Sequence, residues 1–185
     1  MNLTKLFDAQ KELEKVGLFN YRGPDRFDKL VLALLVELGE CANEWRGFKF
    51  WSTDQKPRTK ALKNQVMMEE DKVYYNPLLE EYVDGLHFVL GIGLEIAQKM
   101  DLDVSDYFEE INSDIERGYH KEANITQQFN TLFHITSIVN LDFEYSDLFA
   151  YYYHLGEMLG FADEQVEQAY FEKNKINHQR QSEGY

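Results

Sequence analysis

Apolar residues recur at three- and four-residue steps along most of this chain, which is the period of an α-helix. Residues 3–16 place Leu3, Leu6, Phe7, Leu13 and Val16 on one face. A turn at Gly23-Pro24 separates them from a long helix running from about Asp25 to Trp45. The period then fails over residues 47–77, where Gly47, Pro57 and Pro77 frame a polar centre. This stretch reads as a loop carrying one short helix near Lys60–Glu70. Pro77, tolerated in a first turn, opens a strong helix to about Met100. Ser105 or Asp106 begins another that ends near Gly118, and residues 122–140 and 146–159 read as two more. Asp163 is placed to N-cap a last helix over 164–181. No stretch sustains the apolar–polar alternation of a half-buried strand, and no repeat of roughly 20–50 residues is present. The pattern predicts an all-α helical bundle, one domain over residues 1–185. Within it, 52–77 falls in the irregular stretch and 101–160 makes up a helical lobe.

Composition fits this picture. Hydrophobic residues make up 44% and charged residues 28%, ordinary globular usage that excludes disorder as a description of the whole. The single Cys precludes an intramolecular disulfide, so a reducing compartment is expected. The N-terminal residues lack the basic-then-apolar pattern of a secretory signal. The longest apolar run, Leu30 to Leu38, contains Glu37 and is too short to span a bilayer. A cytoplasmic protein with no membrane partner is the expectation. Nineteen Lys and Arg stand against 33 Asp and Glu, a net charge of −14. Such a surface repels polyphosphate backbones, so no nucleic acid polymer is expected as partner, and any anionic ligand would need divalent cations as bridges.

Two helices carry the candidate chemistry. In the first, Glu37 continues the apolar stripe of Leu30, Ala33 and Leu34 and leads on to Glu40, Cys41 and Glu44. In the second, Glu81 and Asp84 sit one turn apart between Leu78 and Phe88. Ionised carboxylates are rarely buried unpaired, and neither stripe holds a matching Lys or Arg. Should the helices pack together, four carboxylates converge, and hard oxygen ligands of that kind suit Mg²⁺ or Mn²⁺. On the last helix Lys173, Asn177 and Arg180 share a face, two cations flanking an amide, suited to gripping phosphate or simply to a favourable helix terminus. His87, one turn after Asp84, could touch a substrate, orient a metal ligand or sit satisfied in the core. Cys41 reads as packing. His120, His134 and His154 show no ligand spacing and read as structural, and Tyr151–Tyr153 as packing at a helix or subunit contact.

With these elements in hand the sequence resembles the dimeric dUTPase family of all-α nucleotide pyrophosphohydrolases. Glu37-x-x-Glu40 and Glu81-x-x-Asp84 match its paired carboxylate motifs, and the segments from Asn43 to Ser52 and from Glu81 to Phe88 look like the family text. The ending Lys173-Asn-x-x-Asn177-x-x-Arg180-Gln-x-x-Gly-Tyr185 is similar to its C-terminal phosphate motif. The resemblance implies hydrolysis of dUTP to dUMP and pyrophosphate by a homodimer with two or more Mg²⁺ ions, Mn²⁺ being a possible substitute. It assigns Glu37, Glu40, Glu81 and Asp84 to metal, and one of Glu37 and Glu40 to accepting a proton from the attacking water. Gln10 and an aromatic, Phe50 or Trp51, would hold the uracil. Lys173, Asn177, Arg180 and Tyr185, with Lys49 and His87, complete the substrate set. The family's second first-helix amide is replaced by Leu13, the resemblance constrains 101–160 only loosely, and the step from Glu40 to Glu81 is lengthened by an insertion at 52–77 that could form a lid or a surface of this protein's own. Two alternatives stay open: another deoxynucleotide such as dCTP, or a protein partner taken through the insertion, as in phage-encoded members.

Overall fold

The computed structural model describes residues 1–16, 20–64, 71–140 and 145–183. In chain order these form α1 (Leu3–Leu13), α2 (Arg26–Trp45), β1 (Ala61–Leu62), β2 (Tyr74–Tyr75), α3 (Pro77–Met100), α4 (Phe108–Arg117), α5 (Ile125–Ile138), α6 (Tyr145–Met158) and α7 (Asp163–Ser182). One turn of 3-10 helix, Val104–Tyr107, leads into α4. The fold is an all-α bundle.

Local chemistry sets several of the boundaries. Asn2, Asn76 and Asn124 each accept a backbone N–H at the start of α1, α3 and α5, satisfying donors that the helix leaves unpaired. Gly118 ends α4 in the left-handed conformation, at φ +67°. Asp163 does not cap α7: it is the first helical residue, Ala162 holds the cap position, and the Asp163 carboxylate pairs with the Met1 ammonium instead. The first helix stops at Leu13, short of Val16, and exposed Val16 adds nothing to the core.

The short helix expected near Lys60–Glu70 does not begin at its predicted start. Ala61 and Leu62 pair antiparallel with Tyr75 and Tyr74, a two-stranded ribbon, while 65–70 lie outside the described residues. The ribbon's backbone bonds are satisfied by a segment a dozen residues away, which no local period reveals. The insertion is anchored at its base by Arg46, whose guanidinium donates twice to the Asp54 carbonyl, at 3.0 and 2.8 Å.

Helix α3 is the axis of the bundle. Tyr82, Val83, Leu86, Val89, Leu90 and Ile92 are buried around its circumference, and α1, α2, α6 and α7 pack against it. Against α6 the approach is very close, because Gly85 and Gly93 leave room for Tyr152 and Tyr145. The Tyr82 hydroxyl donates to the Tyr152 carbonyl at 3.1 Å, and Tyr152 returns the bond to the Tyr82 carbonyl at 2.5 Å. Arg26, on the first turn of α2, is buried between Glu14 (2.6 Å) and Glu95 (2.8 Å), a charge triad tying α1, α2 and α3 together. Burial raises the Glu14 carboxyl despite the pull of Arg26, and the triad's net contribution is correspondingly small.

Candidate active site

Residues three apart on a helix return to one face, so Glu37 and Glu40 on α2 stack one turn apart, as do Glu81 and Asp84 on α3. The two helices bury Leu34, Leu38 and Cys41 against Leu78, Tyr82 and their neighbours in a common core, and the acidic turns meet at its edge. One carboxylate oxygen from each of Glu37, Glu40 and Glu81 lies within 4.8 Å of the other two. Asp84, the fourth, is held by Lys173 of α7: the ammonium lies 2.6 Å from Asp84 and 3.1 Å from Glu80.

Crowding shows in the acidities. The Glu37 carboxyl is pushed up to about 7 by burial and then by the charges of Asp84 and Glu40, with Lys173 only partly offsetting them. Glu81 is likewise raised to about 7 by burial, then by Asp84, Glu40 and Glu37. Burial raises Asp84 too, against the opposing hydrogen bond from Lys173. Burial works against the Lys173 ammonium, but Asp84 and Glu80 more than compensate and its acidity falls. Glu37, Glu40 and Glu81 have no ion pair among the described residues. Three hard oxygen donors so placed fit a divalent cation such as Mg²⁺ by their chemistry.

Gln10 is buried, 3% exposed, and both ends of its amide are hydrogen-bonded. Its oxygen accepts from the His87 ring (2.9 Å) and the Tyr170 hydroxyl (3.0 Å), while its nitrogen donates to Glu14 (3.1 Å). Burial, followed by the field of Lys173, drives the His87 imidazole down to about 3, so it is neutral at physiological pH. Its Nδ1–H faces Gln10, its ring stacks on Tyr170 at 4.3 Å, and its Nε2 is buried without a hydrogen-bond partner. Gln10 therefore ties α1 to His87 of α3 and Tyr170 of α7.

The aromatics after α2 are turned outward: Phe50 is 86% and Trp51 66% exposed, and their rings meet edge to face. The Lys49 ammonium rests over the Phe48 ring. Asn177 is half-buried on the face of α7 that carries Lys173, and exposed Arg180 is near enough for its charge to lower Asp84. Tyr185 lies outside the described residues. Beside Lys173 a groove of about 320 Å³ runs between β2, α3 and α7, sharing Glu80 and Lys173 with the site but not the carboxylate trio.

Two residues of the site go unread in the sequence. Glu80 is the second anchor of Lys173, although the helical period sets it on a different face from its neighbour Glu81. Tyr170 precedes Lys173 by one turn, and that spacing is the only hint that it shares a face with Lys173, Asn177 and Arg180.

An all-α bundle whose two central helices converge in a carboxylate cluster, with a lysine brought from a third, has the plan of an all-α nucleotide pyrophosphohydrolase. A family model described as dUTPase matches residues 2–185, and the chain belongs to the dimeric dUTPase family. It is accordingly a dUTP diphosphatase, a hydrolase. No curated protein matches the chain significantly.

Proposed function

We propose that this protein hydrolyses dUTP to dUMP and pyrophosphate with Mg²⁺ held by Glu37, Glu40, Glu81 and Asp84, working as a homodimer in nucleotide-pool sanitation. The observation that carries the reading is the meeting of Glu37, Glu40 and Glu81 within 4.8 Å, with no positive partner of their own among the described residues. Mg²⁺ at such a site supplies charge neutralisation along the phosphate chain and lowers the pKa of a water nucleophile. Glu37 or Glu40 takes up the proton that this water loses, having free carboxylate capacity at the edge of the cluster. Lys173 meets the phosphate chain with an ammonium already present at the site, and Arg180 adds a second cation from the same helix. Neutral His87 presents an unpartnered acceptor beside this machinery, and Phe50 or Trp51 offers an exposed ring for the base.

Dimerisation is supported by the outer face of α2. Leu32 is 62% and Val36 50% exposed; Gly39 has open space above it, and exposed Asn43 closes the stripe with a polar group. A second copy of the same face would cover these residues.

Incubation of the purified chain with each deoxynucleoside triphosphate, with Mg²⁺ and with Mg²⁺ plus chelator, tests the reading. Pyrophosphate released from dUTP in Mg²⁺ and abolished by chelator is the expected result. Equal release in chelator would remove the metal from the scheme, and preferential release from dCTP would reassign the base.

A further inference from the structure

Asp114, His120 and Asp147 come from three separate elements: the last turn of α4, the segment after Gly118, and the first turn of α6. One ligand atom of each lies within 4.8 Å of the other two. His120 Nε2 is 2.7 Å from Asp147 Oδ1, whereas its Nδ1 is buried without a hydrogen-bond partner. Asp114 is only 9% exposed, and its carboxylate makes no hydrogen bond among the described residues; the Arg117 guanidinium stands off at 4.0 Å. One imidazole thus faces two carboxylates, bonded to Asp147 and leaving Asp114 with only the Arg117 guanidinium, at 4.0 Å, as a partner among the described residues.

The surroundings are built to hold this arrangement. Fully buried Gln128 donates to the carbonyls of His120 (2.9 Å) and Tyr151 (2.7 Å) and accepts the Glu122 N–H (2.7 Å), which fixes the backbone that carries His120. The His120 ring packs edge-on against Tyr151 at 4.9 Å. Supporting bonds of this kind orient a ligand before an ion arrives.

We propose that Asp114, His120 and Asp147 form a second divalent-cation site, apart from the Glu37–Glu40–Glu81 cluster, that takes a zinc-class ion and ties α4 to α6. One imidazole nitrogen with two carboxylates favours Zn²⁺ or Co²⁺, whereas Mg²⁺ prefers an all-oxygen shell. Three protein ligands leave a position for water, so the ion exchanges and acts as a removable staple on the helical lobe. Nothing in this proposal depends on nucleotide hydrolysis.

The test uses the full ¹⁵N-labelled chain in excess Mg²⁺, with Zn²⁺ added stepwise while the histidine ring nitrogens are followed by NMR. The His120 ring signals are expected to shift and saturate at one Zn²⁺ per chain, with Tm rising by several degrees. His120→Gln and Asp114→Asn should each weaken this binding at least tenfold and abolish the rise in Tm, while dUTP turnover in Mg²⁺ stays unchanged. An unmoved His120 ring would overturn the site, even where Zn²⁺ shifts another histidine. So would a ring found doubly protonated in excess Zn²⁺, an imidazolium simply bridging the two carboxylates. An equal Tm gain in His120→Gln would have the same meaning.

Discussion

Glu81 sets folding against chemistry within a single side chain. Its carboxyl is raised from an unfolded value of 4.5 to about 7, so the fold favours its protonated form. The resulting stabilisation is full below 4.5 and is lost as pH rises through about 7. In chelator, Glu81→Gln should therefore raise stability at pH 8 by on the order of 1 kcal/mol after solvent screening, and by less at pH 5. Calorimetric melting at the two pH values measures this; a variant equally destabilised at both would contradict it. On the metal role proposed for Glu81, the same substitution should lower dUTP turnover by about 100-fold. His87 works in the opposite sense. Its folded value of about 3 lies below the unfolded 6.5, so its stabilisation is present above 6.5 and is lost as pH falls toward 3. Replacing it with Gln should flatten the acid limb of the stability profile by at most about 1.4 kcal/mol per pH unit. Cys41, whose thiol burial pushes well up, should resist thiol reagents until the chain is unfolded.

Among the elements, the α3–α6 contact limits what the bundle tolerates. A Cβ at position 93 would lie 2.4 Å from Tyr145 Cζ, and that ring cannot swing away without breaking its hydroxyl bond to the Val89 carbonyl at 2.9 Å. Gly93→Ala should cost about 1–3 kcal/mol by overpacking, read from the midpoint of urea unfolding. A neutral result would mean that α3 and α6 slide apart without penalty. Tyr152→Phe tests the same interface by chemistry. It removes the 2.5 Å bond to the Tyr82 carbonyl, which keeps its helical N–H partner, and should cost about 0.5–1.5 kcal/mol in urea unfolding. Both substitutions lie on α3 or its partner helix, so any effect on turnover reports movement of the helix that carries Glu81 and Asp84.

For the whole molecule, the open stripe on α2 is the feature a single copy leaves unresolved. Leu32→Asp with Val36→Asp should shift the chain from dimer to monomer in light scattering at micromolar concentration while the far-UV helical signal is kept. A wild-type chain already monomeric under those conditions would overturn the dimer. Among the described residues no helix is long and apolar enough to cross a membrane, and α2 is no exception.

The sequence by itself determined the helices, the all-α class and the one-turn spacing of each carboxylate pair, because period, caps and prolines act within a few residues. It also carried the family motifs through Lys173 and Arg180. Only the tertiary structure decided that Glu37, Glu40 and Glu81 meet, that Asp84 and Glu80 share Lys173, and that Gln10 is bound up with His87 and Tyr170. Contacts alone could also pair Ala61–Leu62 with a distant strand or gather Asp114, His120 and Asp147 from three elements. Those outcomes depend on which faces of distant segments bury each other and how close two glycines let them come, and a local pattern holds no record of either.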